Sequence, residues 1–258
     1  MKRITKRFRF RNAIEVEESH RGRYGAPGQK RQKKQKPTPE QMEKLNRYNR
    51  EKTARRKLRQ NFEPGDYFSD LTYRKDARPV DMGMAKAQFA VFIRKLRKEY
   101  RKRGHELKWM RNIEVGTRGA WHIHLVVNRI PDTDLLLAAI WEYGGVHSQL
   151  LYDKGEFRKL AAYITKTPET DPRLKESSYS ASRNLPIKDP EVRETEEKRI
   201  PGKIRVPAGW YLDQDSVHEG INPVTGYFYR HYTLLRIRRK GGGENALRGE
   251  HRSRCRRG

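Results

Sequence analysis

Apolar positions along this chain recur in two rhythms, and the switches between them mark its elements. Phe89, Phe92, Ile93, Leu96 and Tyr100 fall at i, i+3, i+4, i+7 and i+11, one face of a helix over 84–103 that Gly104 stops. The runs Lys108 to Gly116 and Trp121 to Asn128 instead have strand character and are separated by Thr117-Arg118-Gly119-Ala120, which predicts a β-hairpin. Tyr67 to Tyr73 is rich in aromatic and β-branched residues and predicts a strand before the helix. After the hairpin, Asp132 to Tyr143 reads as a second amphipathic helix closed by Gly144-Gly145, Val146 to Tyr152 as a strand, and Glu156 to Thr167 as a third helix. The order β, α, β, β, α, β, α predicts an α+β fold, a central antiparallel sheet with helices packed on one face and the other face free.

The flanks are less regular. Residues 1–37 are poor in apolar side chains and rich in Gly and Pro, and read as a mostly disordered arm. Thr38-Pro39-Glu40 then starts a helix with a thin stripe of Met42, Leu45, Ala54 and Leu58, ended by the Pro64-Gly65 turn. Beyond Pro168 the chain is polar to about Pro207, after which Trp210 to Leu212 and Tyr227 to Leu235 predict an aromatic hairpin. The division expected is a basic arm and helix over 1–60, a body over 61–195, a small β-hairpin appendage over 196–237 and a disordered basic tail over 238–258.

Charge adds a partner to this picture. The chain has 258 residues and a formal net charge of +27, of which residues 1–60 carry +15 and 236–258 carry +7, leaving a nearly balanced body. Clusters such as Lys30, Arg31, Lys33, Lys34 and Lys36, then Arg55 and Arg56, would release counterions on meeting a polyanion, and nucleic acid is the polyanion expected. Solvated tails that serve only solubility are the plainer alternative. No apolar run approaches the ~20 residues of a membrane-spanning helix, the N-terminus has no secretory pattern, and a membrane is not among the expected partners. The only cysteine, Cys255, lies in the basic tail, which excludes an internal disulfide framework and a Cys-based zinc site and fits a reducing compartment.

His122 and His124 stand one residue apart on the second hairpin strand, so period-2 geometry sends both imidazoles to one side, opposite Ile123, Leu125 and Val127. A hairpin register that sets Glu114 across from His124 and Gly116 across from His122 turns Glu114 to the same side. A register odd by one would bury that acid among the helices. Two imidazoles and a carboxylate on one face suit a divalent cation with positions open to substrate oxygens. On the third helix Tyr163 lies at the edge of the buried stripe Phe157, Leu160, Ala161 and Ile164, with Lys166 three residues on. A tyrosine there is either core packing or, beside a cation, a nucleophile toward a phosphodiester.

Tyr67 to Tyr73, then Trp121-His122-Ile123-His124-Leu125-Val126-Val127, then Tyr163-Ile164-Thr165-Lys166 resemble in order and spacing the three motifs of the HUH endonucleases that initiate rolling-circle replication. Residues ~60–190, with Tyr179 to Leu185, are similar more narrowly to replication-associated proteins of the filamentous-phage gene II type. The resemblance implies a Rep-type fold whose open sheet face holds the site, Mg²⁺ or Mn²⁺ bound by His122, His124 and Glu114, and nicking by Tyr163 assisted by Lys166. It implies a covalent 5′-phosphotyrosine, later rejoining, origin DNA as partner together with a host helicase and polymerase, and the cytoplasm of a bacterial host cell. It leaves closure of the circle open, since no second tyrosine follows Tyr163 on its helix. Arg183 and Asn184 join the basic clusters as candidates for DNA contact. Competing readings are a relaxase or transposase of the same chemistry, a non-catalytic basic nucleic-acid-binding protein, and a two-His-one-carboxylate iron oxygenase.

Overall fold

The computed structural model describes residues 2–21, 38–116, 119–151, 157–166, 179–197, 199–222 and 227–237. Two antiparallel five-stranded sheets and four α-helices make up the described chain, an α+β fold. The central sheet has the order β6-β3-β5-β4-β7, from β3 (Tyr67–Thr72), β4 (Trp109–Val115), β5 (Trp121–Val127), β6 (Val146–Leu150) and β7 (Tyr179–Ala181). The second sheet comprises β1 (Lys2–Arg9), β2 (Ala13–Arg21), β8 (Glu191–Thr195), β9 (Trp210–Ile221) and β10 (Phe228–Arg236), in the order β8-β1-β2-β10-β9. No described helix is long and apolar enough to cross a membrane.

Alternation sorts the central strands into two faces. Leu71, Trp109, Ile113, Trp121, Ile123, Leu125 and Val127 pack under α2 (Met82–Lys102) and α3 (Thr133–Ile140), against the predicted stripe Phe89, Phe92, Ile93, Leu96 and Tyr100. Each such side chain contributes about 1.5–3 kcal/mol by leaving water. Asp81 caps α2 by accepting from the Met84 N–H, and Tyr100 Oη donates to the Asn128 carbonyl at 2.6 Å. The opposite face, expected to be free of helices, is covered at one end. There Phe68, Met110 and Val126 pack against Ala54, Leu58 and Phe62 of α1 (Pro39–Asn61) and Phe157, Ala161 and Ile164 of α4 (Phe157–Thr165). Helices therefore lie on both faces. The stripe expected along α1 is buried only in its second half, because Met42 and Leu45 stay exposed.

The N-terminal segment departs most from expectation. Residues 2–9 and 13–21 are paired strands rather than a disordered arm; residues 22–37 lie outside the described residues, as does the tail from 238. Ala13, Ile14 and Val16 supply the apolar contacts, and the strand's charges find partners across the sheet, Arg9 with Glu191 at 2.6 Å and Arg3 with Glu197 at 2.8 Å. The aromatic hairpin exists as β9 and β10, but β10 also pairs with β2, so it completes this sheet instead of standing apart. Glu191–Thr195, expected to lie in the body, is the edge strand beside β1.

Glu15 fastens the second sheet to α1. Its buried carboxylate accepts from Arg55 Nε at 2.8 Å, Arg56 Nε at 2.9 Å and Arg59 Nη1 at 2.7 Å, while Arg56 Nη2 reaches Glu17 at 2.6 Å. Burial would raise the Glu15 pKa, but Arg55, Arg59 and Arg56 together hold it down at about 2. Arg55 and Arg56, expected to face nucleic acid, point inward and are neutralised by acids of β2. Composition counts charges; only the fold pairs them.

Candidate functional site

The observed hairpin sets Glu114 opposite His122 and Asn112 opposite His124, two residues from the expected register. A shift of two preserves parity, so Glu114 still shares a face with both histidines. On that face two rows cross the sheet: Thr72, His122 and Glu114 in one, and His147, Asp70, His124, Asn112 and Tyr179 in the next. Gly116 is part of the fit, because a Cβ there would stand 3.1 Å from His122 Nε2.

His124 is the hub. Its Nδ1 meets Asp70 Oδ1 in a short hydrogen bond, its Nε2 lies 3.3 Å from Glu114 Oε2, and Tyr163 Oη lies 2.8 Å from the same Nε2. Phe68 stacks on the imidazole at 5.9 Å and 7° and meets the Tyr163 ring edge-on at 6.1 Å, which fixes both rings. Burial disfavours the His124 charge, yet hydrogen bonds from Asp70 and Glu114 and their charges hold its pKa up at about 9. His122 is pushed down by burial and by the neighbouring His124 charge. Tyr163 is pushed up to about 12, by burial first and then by Glu114 and Asp70. Unaided, this phenol is harder to ionise than a free one.

The donor set of two imidazoles and two carboxylates has the chemistry of a divalent-cation site. The side chains hold one another instead: among the described residues no group of three or more His, Cys, Asp or Glu converges on a point that would hold an ion. The ring centroids of His122 and His124 are 6.4 Å apart. In its neutral form, with Nδ1–H donated to Asp70, His124 leaves Nε2 to accept the Tyr163 proton, an acid, imidazole and hydroxyl relay of the kind that activates nucleophiles.

Tyr163, His124, His122 and Glu114 are thus brought together as expected. Lys166 follows the end of α4 with its side chain exposed, and its carbonyl accepts from Asn112 Nδ2 at 3.1 Å, which ties α4 to β4. Arg183 is exposed, and Asn184 donates to the Leu107 carbonyl at 3.2 Å. Lys30, Arg31, Lys33, Lys34 and Lys36 lie outside the described residues. Sequence reasoning missed Asp70, Asn112 and His147. Asp70 carried a usable signal, since alternation along Tyr67 to Tyr73 turns it with Phe68 and Thr72 away from Leu71.

No curated protein and no solved structure matches the chain. The model of the replication-associated protein family typified by ORF2 and gene II protein matches residues 66–168, less than half of the chain. That stretch contains Asp70, Glu114, His122, His124, Tyr163 and Lys166, so the part of the chain similar to replication-associated proteins is the part that builds this site.

Proposed function

We propose that the protein initiates replication of a circular DNA element by nicking one strand with Tyr163 and later rejoining it. The observation that carries this reading is the contact of Tyr163 Oη with His124 Nε2 at 2.8 Å, with Asp70 on the far nitrogen. The scissile phosphodiester lies on the sheet face beside His122, His124 and Glu114. Asp70 orients the imidazole, and His124 Nε2 takes the phenol proton as Tyr163 Oη attacks phosphorus. The new O–P bond forms as the bond from phosphorus to the 3′-oxygen breaks. That oxygen leaves and is protonated to a free 3′-OH, while the 5′-phosphate stays on Tyr163. One phosphodiester is exchanged for another, so rejoining by the reverse attack needs no nucleotide cofactor. The Lys166 ammonium, exposed and one helical turn from Tyr163, balances charge on the phosphate.

The residues suited to hold Mg²⁺ or Mn²⁺ are His122, His124 and Glu114, and such an ion would polarise the phosphate and favour the phenolate. A host helicase and polymerase would extend the 3′-OH, because the sequence carries no phosphate-binding loop of the Walker type. The test is covalent capture: the protein, Mn²⁺ and a pooled single-stranded oligonucleotide library, resolved on a denaturing gel. Wild type should form an adduct whose DNA reveals the preferred sequence, and EDTA or Tyr163→Phe should abolish it. An adduct retained by Tyr163→Phe removes the nucleophile, and binding without any adduct, unchanged by EDTA and by His122→Ala, favours a non-catalytic DNA-binding protein instead.

A further inference from the structure

Most arginines of this fold that face acids are paired with them, which makes a set without acids informative. A cleft of about 580 Å³ opens between the C-terminal half of α2 and the free edge of β7, bordered by Arg97, Arg101, Glu106, Trp109, Arg183 and Asn184. Arg97, Arg101 and Arg183 have no hydrogen bond or ion pair among the described residues, unlike Arg55, Arg56 and Arg59, which converge on Glu15. The acid of α2 near them, Glu99, is taken by Lys102 and Arg103. Among the described residues the Glu106 carboxylate accepts only from Asn184 Nδ2, at 3.4 Å. Three guanidinium groups around one concavity repel one another, and an anion brought from outside relieves that repulsion.

The cleft is next to the tyrosine site, round one sheet edge. Tyr179 on β7 stands opposite Asn112, and Asn112 opposite His124, so two strand spacings, about 10 Å, separate β7 from the histidine strand. Alternation then turns Ser180 and Ser182 to the other face, where they line the cleft, and Ser182 Oγ accepts from the Trp109 N–H at 3.1 Å. Trp109 is only 9% exposed, so the cleft offers no aromatic platform for a base. What it offers is charge in a space too small for a duplex and of the size that receives a few nucleotides.

We propose that this cleft grips the phosphate backbone of single-stranded DNA passing over the β7 edge to or from the nicking site, without reading bases. The proposal rests on the nicking function proposed above for its geometry, but its test does not depend on cleavage. Binding of the full-length protein to a fluorescein-labelled oligothymidylate is followed by anisotropy in EDTA between 50 and 200 mM NaCl. Loss of three phosphate contacts lowers the salt slope by about 2 for a single strand, so wild type should lose about 20-fold more affinity over this range than Arg97→Gln/Arg101→Gln/Arg183→Gln. Glu106→Gln, which keeps the acceptor for Asn184 and removes the opposing charge, should tighten binding by about twofold or more. An equal-charge control on exposed surface, Lys44→Gln/Arg94→Gln/Lys98→Gln, should stay near wild type. Equal slopes for wild type and the cleft variant, an equal loss in the control, or a duplex that competes as well as the single strand would each overturn the proposal. Adduct formation at Tyr163, measured separately, reports on the nicking reading alone.

Discussion

Glu15→Gln removes one charge and leaves the side chain's shape, and its cost can be worked from the site. The carboxylate is 3% exposed and serves three guanidinium groups at 2.7 to 2.9 Å. Its pKa of about 2, against an ordinary 4.5, corresponds to about 3 kcal/mol by linkage. Breaking a buried ion pair costs a similar 3–5 kcal/mol, because the arginines remain behind unneutralised. A folded-state pKa below the unfolded one contributes stability that is complete above about 4.5 and is lost as pH falls through about 2. Guanidinium chloride titrations of wild type and Glu15→Gln should therefore differ by about 3 kcal/mol at pH 7 and by about half that near pH 3. The effect should reach the tyrosine, because α1 packs on α4 through Ala54, Leu58, Phe157, Ala161 and Ile164, and adduct formation should fail at a lower temperature in the variant. A difference under about 1 kcal/mol at pH 7, or one that does not shrink with acid, would show that the arginines find other acceptors and that Glu15 does not fasten the two sheets.

Asp70→Asn should lower the His124 pKa from about 9 in a metal-free NMR titration and slow adduct formation by about 10²-fold or more, whereas an unchanged titration would assign the raised value to Glu114 alone. Because the His124 pKa is raised in the fold, its contribution to stability is complete below 6.5 and is lost as pH rises through about 9; thermal melts of metal-free wild type should decline over that window more steeply than those of Asp70→Asn. Gly144→Ala would bring a Cβ to 2.1 Å from the Thr72 carbonyl oxygen and 2.9 Å from Tyr73 Cα, both backbone, and should cost about 1–3 kcal/mol or more in thermal unfolding; Gly202→Ala, which meets nothing within 4 Å, should be near neutral.

Elements with strong local rhythm were legible. The stripe of α2, the β4 and β5 hairpin and the common face of His122, His124 and Glu114 all follow from periods of 3.6 and 2, and parity survived a register two residues off. The second sheet was hidden because its strands alternate charge with only a few apolar residues, and their partners lie far along the chain, such as Arg9 with Glu191. β7 has three residues, too few for any period to register.

What the sequence determined by itself is the set of side chains on one surface: two imidazoles, a carboxylate and a tyrosine at the margin of a buried helical face. Tertiary structure decided which of them touch. Asp70, 54 residues before His124, reaches it only because β3 pairs with β5, and Arg55 and Arg56 turn from a basic face into an internal brace only because β2 brings Glu15 beneath them. The reason is physical: side-chain direction is set by local backbone geometry and repeats over a few residues, whereas the partner of a charge depends on which distant strand or helix the burial of apolar surface brings alongside.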